Sequence, residues 1–546
     1  MEKQLIPNVF HGKVFLKFLK IFQQNSPSSS QGEFLLRQPN TPKRDPLRSE
    51  HSRSDPSALS RSITTSKEAL NEVTPNLAPP TVLRGLSVVV PVYNEIRTIQ
   101  EVIERIERCG LTIPVEILVT DDCSTDGTEK ILEKLAQDGR IHYKRHPKNR
   151  GKGAAIRSSI EMIHYPYALI QDADLEYDPK DYEKLLKPLL DERADVVFGS
   201  RFIGGDERRI LTFWHSMANK VLTLFSNMLT DMHLTDMETC YKCFRSDFLK
   251  DIQLVSDRFG FEPEITAKTK KMGAIVYEVP ISYHGRNMIQ GKKIGWKDGV
   301  AALNHMLRFH FSHEISTQKG FDRLYSLLRG KQVNRYLYEK IAPFIGNRVL
   351  EIGAGLGGIS QFLINREKLL LTDSNDCYVR FLKRKFRGIF NVDVFHCDAE
   401  NDSFSGLQEG LDTILMMNVL EHLKEDEAPL KKAYEALSES GRIIVMVPLQ
   451  KNLMCKMDEH LERYGRYEIR EIQEMMGRAG FQTEAFYQIS RLGTLLWWFA
   501  GKLLRKQKFS HLSMKMLSML TPLIKCWDAF FPWPNGLQGI FVGKKI

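Results

Sequence analysis

Asp172-Ala173-Asp174-Leu175-Glu176 packs three carboxylates into five residues. Like charges that close oppose each other's ionisation. A divalent cation removes the conflict, and hard oxygen donors suit magnesium or manganese, whose shell is usually completed by phosphate oxygens of a substrate. The stretch therefore predicts a metal held by Asp172, Asp174 and Glu176, with Ala173 against the same phosphate ligand. An acidic loop closing a strand is the plain alternative, and one short motif does not separate the two. A second stretch, Glu351-Ile352-Gly353-Ala354-Gly355-Leu356-Gly357, alternates glycines, which let the backbone approach a ligand closely. Asp373 follows about twenty residues on, where a carboxylate is expected to meet a ribose.

The elements that must position these groups are legible as apolar runs. Tyr167–Ile170 has the length of a buried strand, so the carboxylates sit where a strand leaves its sheet, the ligand crevice of open α/β folds. Residues 86–92 form another strand, running into Tyr93-Asn94-Glu95 and a helix with Ile99, Val102, Ile103 and Ile106 on one face. Residues 115–120 form a third, ending in Asp121-Asp122, and the polar turn Cys123–Thr128 supplies Ser, Thr and Asp to cap the next helix. Strand and helix alternate, which predicts a parallel sheet covered on both faces. Farther on, 348–352 and 369–373 read as strands, Cys397-Asp398-Ala399 ends a third, and 411–423 and 442–448 follow. Residues 539–543 would return as an antiparallel last strand, making 491–537 an insertion. The expected fold is α/β with two doubly wound domains at 81–315 and 320–490, a disordered basic tail at 1–80, and an aromatic and basic insertion plus final strand at 491–546.

Five motifs occur in order at βα spacing: PVYNE, DDCSTDGT, DADLE, GSRF and DMETCYKCFR. Together with EVPISY they resemble family 2 glycosyltransferases of the GT-A fold, most closely the dolichyl-phosphate mannose synthase and polyprenyl-phosphate branch. The resemblance implies a nucleotide-sugar donor, with Pro91, Tyr93, Glu95 and Asp122 at the nucleoside and Asp172, Asp174 and Glu176 at the metal and diphosphate. It also implies Arg201 facing phosphate, and Arg286 and Lys292 closing over diphosphate and acceptor. Arginine grips phosphate through paired hydrogen bonds, and lysine acts as a point charge. A lipid-phosphate acceptor is already anionic and needs no strong base; a hydroxyl acceptor does, and Asp236 or Glu264 is expected to serve. The second glycine-rich region, with LDTILMMNVLEHL behind it, resembles class I S-adenosylmethionine methyltransferases rather than an NAD-binding domain. That resemblance implies Glu351, Gly353, Gly355 and Gly357 around the methionine part, Asp373 on the ribose, Asp398 and Ala399 beside the adenine, and Asn418 near the methyl donor. His460 is a candidate base for methyl transfer.

The 546 residues are 42% hydrophobic and 26% charged, enough for several cores, with a net charge of +10. In the last 46 residues eight Lys and Arg face only Asp528. This excess, with Trp497, Trp498, Phe499, Trp527, Phe530, Phe531 and Trp533, points to an anionic lipid surface and not to nucleic acid. Residues 9–22 and 296–311 read as further amphipathic, interfacial segments. The eight cysteines show no disulfide framework, and Cys240-Tyr241-Lys242-Cys243 lacks the second pair a zinc site needs. No secretory signal or spanning helix is expected, which places the chain in the cytoplasm, peripheral on a membrane's inner face. Two other readings stay open: a glycosyltransferase acting on a hydroxyl of a polysaccharide or protein, and a binding module with one degenerate domain.

Overall fold

A computed structural model of the chain describes residues 84–546 apart from 205–212, 259, 286–295, 405–406, 408–409, 507–515, 517 and 534. The basic tail, the 9–22 segment, Arg286 and Lys292 lie outside the described residues. The first sheet holds β1 (Leu86–Val92), β2 (Val115–Asp121), β3 (His142–Arg145), β4 (Tyr167–Ile170), β5 (Val196–Ser200), β6 (Lys242–Arg245) and β7 (Val276–Pro280), in the order β3-β2-β1-β4-β6-β5-β7. Val88, Val89, Val90, Leu118, Leu169, Ile170 and Phe198 are fully buried, as continuous apolar runs covered on both faces should be. The helix Ile99–Glu107 buries Ile99, Val102, Ile103 and Ile106, the four positions that its spacing singles out. In the turn after β2, Gly127 takes the cap position at φ 98°, and Asp126 Oδ1 accepts the Thr128 amide at 3.0 Å.

The sheet is parallel only in part. β6 runs antiparallel to both β4 and β5. After β5 the chain passes through the helix Phe213–Thr230 and the segment 231–241, then enters β6 from the carboxyl ends of β4 and β5. The reversal sets Asp236 and Glu238 beside the exit of β4.

The second sheet holds β8 (Arg348–Ile352), β9 (Lys368–Asp373), β10 (Val392–His396), β11 (Leu411–Met417), β12 (Leu437–Pro448), β13 (Phe481–Ile489) and β14 (Gln538–Lys545), in the order β10-β9-β8-β11-β12-β14-β13. The first five pair in parallel, and β14 is antiparallel to β12 and β13, as the expected returning strand requires. β13 has no counterpart in the sequence reading: its central residues are half-buried and charged and apolar residues mix along it. Helices Arg491–Trp498 and Thr521–Phe530 fill the β13–β14 connection. Asp528 anchors them, accepting from Tyr336 Oη at 2.9 Å and from the Ser490 and Arg491 amides at 2.7 and 2.8 Å.

The two sheets are joined through the helix Asp376–Lys385. Its Arg380 grips Asp251 with two bonds of 2.9 and 2.6 Å, and Arg384 Nε donates to the Met272 carbonyl at 3.3 Å. Just beyond the helix, Arg387 reaches Asp195 at 2.8 Å. Phe381, Cys377 and Leu356 share one apolar cluster with Met272, Phe321 and the interior of the first sheet.

Candidate active site

The carboxyl ends of β1, β2 and β4 lie side by side: Val92 is in register with Asp121, and Val89 with Ile170. The residues past those ends therefore gather in one crevice. Tyr93 and Glu95 stand at the exit of β1, with the Tyr93 ring 41% exposed. Asn94 takes φ 54°, and its Oδ1 accepts the Thr125 amide at 2.8 Å, stitching the β1 exit to the β2 exit. Pro91 is half-buried in β1 opposite Thr120. Asp122 is buried and anchors the 146–151 loop: its carboxylate accepts from His146 Nδ1 at 2.7 Å and from the Arg150 and Gly151 amides at 2.9 and 2.6 Å.

At the exit of β4, Asp172 meets a cation of the chain itself. Lys152 Nζ lies 2.8 Å from Asp172 Oδ1 and 3.0 Å from Glu262 Oε1. Burial opposes ionisation of Asp172, yet the Lys152 ammonium outweighs it and holds the carboxyl below its usual range. Burial likewise opposes the Lys152 charge, and Asp172 with Glu262 carries its pKa well above the ordinary value. Sequence reasoning missed Lys152. Its signal was a lysine between two glycines just past a short strand: Gly151 has φ +102°, and a Cβ on Gly153 would lie 2.3 Å from the Ser256 carbonyl. Asp174 is half-buried beside it. Glu176 departs from the expected ligand set, because its Oε2 accepts the Tyr283 hydroxyl at 2.7 Å. Asp172, Asp174 and Glu176 do not converge as a metal-holding trio; among the described residues the group that does lies elsewhere. The all-oxygen pair Asp172 and Asp174 still fits a hard divalent cation, which needs only one or two carboxylates when phosphates complete its shell. Ala173 is buried, and its carbonyl accepts Thr98 Oγ1 at 2.9 Å.

Two residues expected as bases have other work. Asp236 is fully buried and forms a two-pronged pair with Arg201, at 2.6 and 2.7 Å, while accepting from Asn219 Nδ2 at 3.2 Å. Burial would raise its carboxyl, but Arg201 prevails and keeps it below the usual range. Arg201 is thus tied to Asp236 and lies over the Tyr283 ring, 5.1 Å from its centre, rather than standing open to phosphate. Glu264 is fully buried and pins the chain ahead of its helix, accepting the Val255 and Ser256 amides at 2.8 Å each and Lys268 Nζ at 2.6 Å. Glu238, inside the same motif as Asp236, has the character the base should have. Burial first, then the Glu262 carboxylate, push its carboxyl up to about 7. Its Oε1 is buried and has no hydrogen-bond partner among the described residues. Cys240 and Cys243 are buried free thiols.

A second crevice lies at the carboxyl ends of β8, β9, β10 and β11. Gly353, Gly355 and Gly357 take φ of 67°, 57° and 70°, a conformation that L side chains rarely adopt. A Cβ on Gly355 would meet only Leu324, in ordinary contact at 3.5 and 3.8 Å, so the positive φ rather than crowding calls for glycine there. Glu351 is buried against Ser360 Oγ at 2.6 Å, and burial lifts its carboxyl to about 7. Asp373 accepts the Gly355 and Asn375 amides at 2.9 Å each and so fixes the glycine loop. Asp398 and Ala399 sit just past the end of β10 rather than within a strand; Asp398 accepts from Asn401 Nδ2 at 2.7 Å, and the Ala399 carbonyl accepts Lys432 Nζ at 3.2 Å. Asn418 closes β11 at φ 59°. His460 is exposed at the end of the helix Lys456–His460.

Comparison with known proteins agrees with two transferase domains. Residues 87–252 match the model of glycosyl transferase family 2, and residues 350–443 match a methyltransferase domain. An uncharacterized protein of Methanocaldococcus jannaschii is 33% identical over 38% of this chain and 89% of its own length. An undecaprenyl-phosphate mannosyltransferase of Micrococcus luteus is 28% identical, over 40% of this chain and 90% of its own. A polyprenol monophosphomannose synthase of Mycolicibacterium smegmatis is 28% identical, over 38% and 80%. The strand order, the crevice at the β4 exit and these matches make the protein an enzyme of two transferase parts: it belongs to glycosyl transferase family 2 and carries a methyltransferase domain behind the glycosyltransferase.

Proposed function

We propose that the first part transfers a sugar from a nucleoside diphosphate to a polyprenyl phosphate at a membrane surface, and that the second transfers methyl from S-adenosylmethionine. The observation that carries the lipid acceptor is the helix Phe213–Thr230. Asn219 ties it to the Arg201–Asp236 pair. Phe213, Trp214, Met217, Val221, Leu224 and Met228 stand exposed at helical spacing along it. Val300, Leu307 and Phe311 of the neighbouring helix Trp296–Phe311 are exposed as well. An apolar stripe of that length facing water, fixed to the transfer crevice, suits the headgroup region of a bilayer. Among the described residues no helix is long and apolar enough to cross a membrane. The names of two relatives, an undecaprenyl-phosphate mannosyltransferase and a polyprenol monophosphomannose synthase, support the same acceptor class.

Within the crevice, the Tyr93 ring offers a face to the base, and Asp172 with Asp174 would hold magnesium or manganese. That cation supplies charge for the departing diphosphate. Lys152 adds a fixed cation on the same side, preorganised by Asp172 and Glu262, where negative charge grows as the sugar leaves. In the second crevice the glycine loop would admit the methionine part of S-adenosylmethionine, and Asp373 holds that loop in shape.

One observation favours a second reading. Glu238, with a carboxyl near 7 and an unpartnered oxygen, suits proton removal from a hydroxyl acceptor. The purified protein, given labelled GDP- or UDP-sugars and manganese, is expected to charge polyprenyl phosphate in vesicles. Failure with every polyprenyl phosphate, alongside transfer to a hydroxyl glycan, would establish the second reading.

A further inference from the structure

At the opposite, amino-terminal edge of the first sheet three side chains meet. Glu116 lies at the start of β2, His142 opens β3, and His164 lies three residues ahead of β4. One ligand atom from each lies within 4.8 Å of the others. We propose that Glu116, His142 and His164 bind a divalent transition-metal cation of the zinc class, at a site separate from both transfer crevices.

Glu116 Oε2 is 2.9 Å from His164 Nδ1 and 3.7 Å from His142 Nε2. Tetrahedral zinc with bonds of about 2.05 Å sets its ligand atoms about 3.3 Å apart. The two Glu116 distances straddle that value, so those contacts need shifts of only a few tenths of an ångström, and the two imidazole nitrogens lie within 4.8 Å of each other. The His164–Glu116 contact alone is an ordinary hydrogen bond. His142 is the informative residue: it is too far from Glu116 to share a proton, yet close enough to share a metal. Two imidazoles with one carboxylate suit zinc and its neighbours rather than magnesium or calcium.

The carboxylate is also oriented in advance. Its other oxygen, Oε1, accepts from Ser87 Oγ and from the His164 amide at 2.9 Å, so Oε2 is left toward the imidazoles. Outer bonds of this kind commonly fix metal ligands. The Glu116 side chain is 10% exposed and the two histidines are 57% and 67% exposed, which leaves the outer position to water. Five residue steps along β2 lead from Glu116 to Asp121, roughly 16 Å at strand rise, so the cation would sit well away from the sugar-transfer chemistry. It would clip together the amino ends of β2 and β3 and the segment leading into β4.

The full-length protein, stripped with a chelator, is titrated at neutral pH with cobalt as a visible-absorption probe and with zinc by calorimetry. The expected result is one equivalent of cobalt with the absorption bands of a low-coordinate site, displaced by zinc, and a rise in the thermal midpoint when zinc is added. The His142→Ala, His164→Ala double variant should lose the bands while keeping the metal-free midpoint and the sugar-transfer rate, since both side chains are exposed. Ser87→Ala should weaken zinc about tenfold. Magnesium with GDP or UDP should leave the bands unchanged. Absence of the bands in the wild type, or equal metal uptake by the double variant, overturns the proposal.

Discussion

Asp236→Asn separates a supporting carboxylate from a proton acceptor. The substitution keeps the shape of the side chain and removes its charge. Arg201 then remains 9% exposed with no counter-ion, and the two-pronged grip of 2.6 and 2.7 Å is halved. Breaking a buried ion pair by removing one partner costs about 3–5 kcal/mol. The Tyr283 ring, 5.1 Å from the guanidinium, returns part of this, so a loss near 3 kcal/mol is expected. The sign of the pH dependence follows from the depressed carboxyl. Its stabilisation is present above the ordinary aspartate range and is lost only as pH falls through the lower folded value. The deficit of the variant should therefore hold steady from neutral to alkaline pH and close in strong acid. Urea unfolding followed by circular dichroism across that range measures it. A variant that unfolds within about 0.5 kcal/mol of the wild type, yet loses transfer with an altered pH–rate profile, would refute the reasoning and return Asp236 to the role of base.

Lys152→Met removes the ammonium that bridges Asp172 and Glu262. Stability at neutral pH should fall by about 3 kcal/mol, a deficit that shrinks as pH drops below the aspartate range, read by the same unfolding series. Glu351→Gln should gain on the wild type as pH rises from about 4.5 and level off above about 7, because the buried acid, raised from 4.5 to about 7, makes the folded state progressively less favourable over that window. At 1.36 kcal/mol per unit the gain approaches about 3 kcal/mol. Trp214→Asp with Leu224→Asp should abolish flotation with anionic vesicles while leaving nucleotide binding intact. Glu238→Gln should spare transfer to a polyprenyl phosphate and lower transfer to a hydroxyl acceptor by about 100-fold or more, measured as initial rates on both acceptors.

Local pattern carried much of this architecture. Apolar runs marked β1, β2, β4, β8 and β9, and the groups just past their ends form the crevices because a parallel strand always delivers its exit to the same edge. What the chain did not announce was pairing across long separations. Lys152 meets Glu262 across 110 residues and Arg201 meets Asp236 across 35. Nothing local distinguishes an aspartate that will hold a guanidinium from one that will take a proton. The reversed direction of β6 escaped for the same reason, since KCFR reads alike either way and only the path of the preceding segment orients it. The exposed stripe on the helix Phe213–Thr230 was hidden by its own regularity: apolar residues at helical spacing normally mark the side that faces inward.

Asp373 and the arginine helix are neighbours in the chain, three residues apart. Whatever docks at the end of β9 therefore pulls on the same stretch that holds Asp251 and Asp195. Severing the chain near residue 318 would strand Phe381 in water and leave those two acids without their guanidinium partners. Neither fragment of this chain would inherit a finished interior, so its two parts are expected to unfold as one unit.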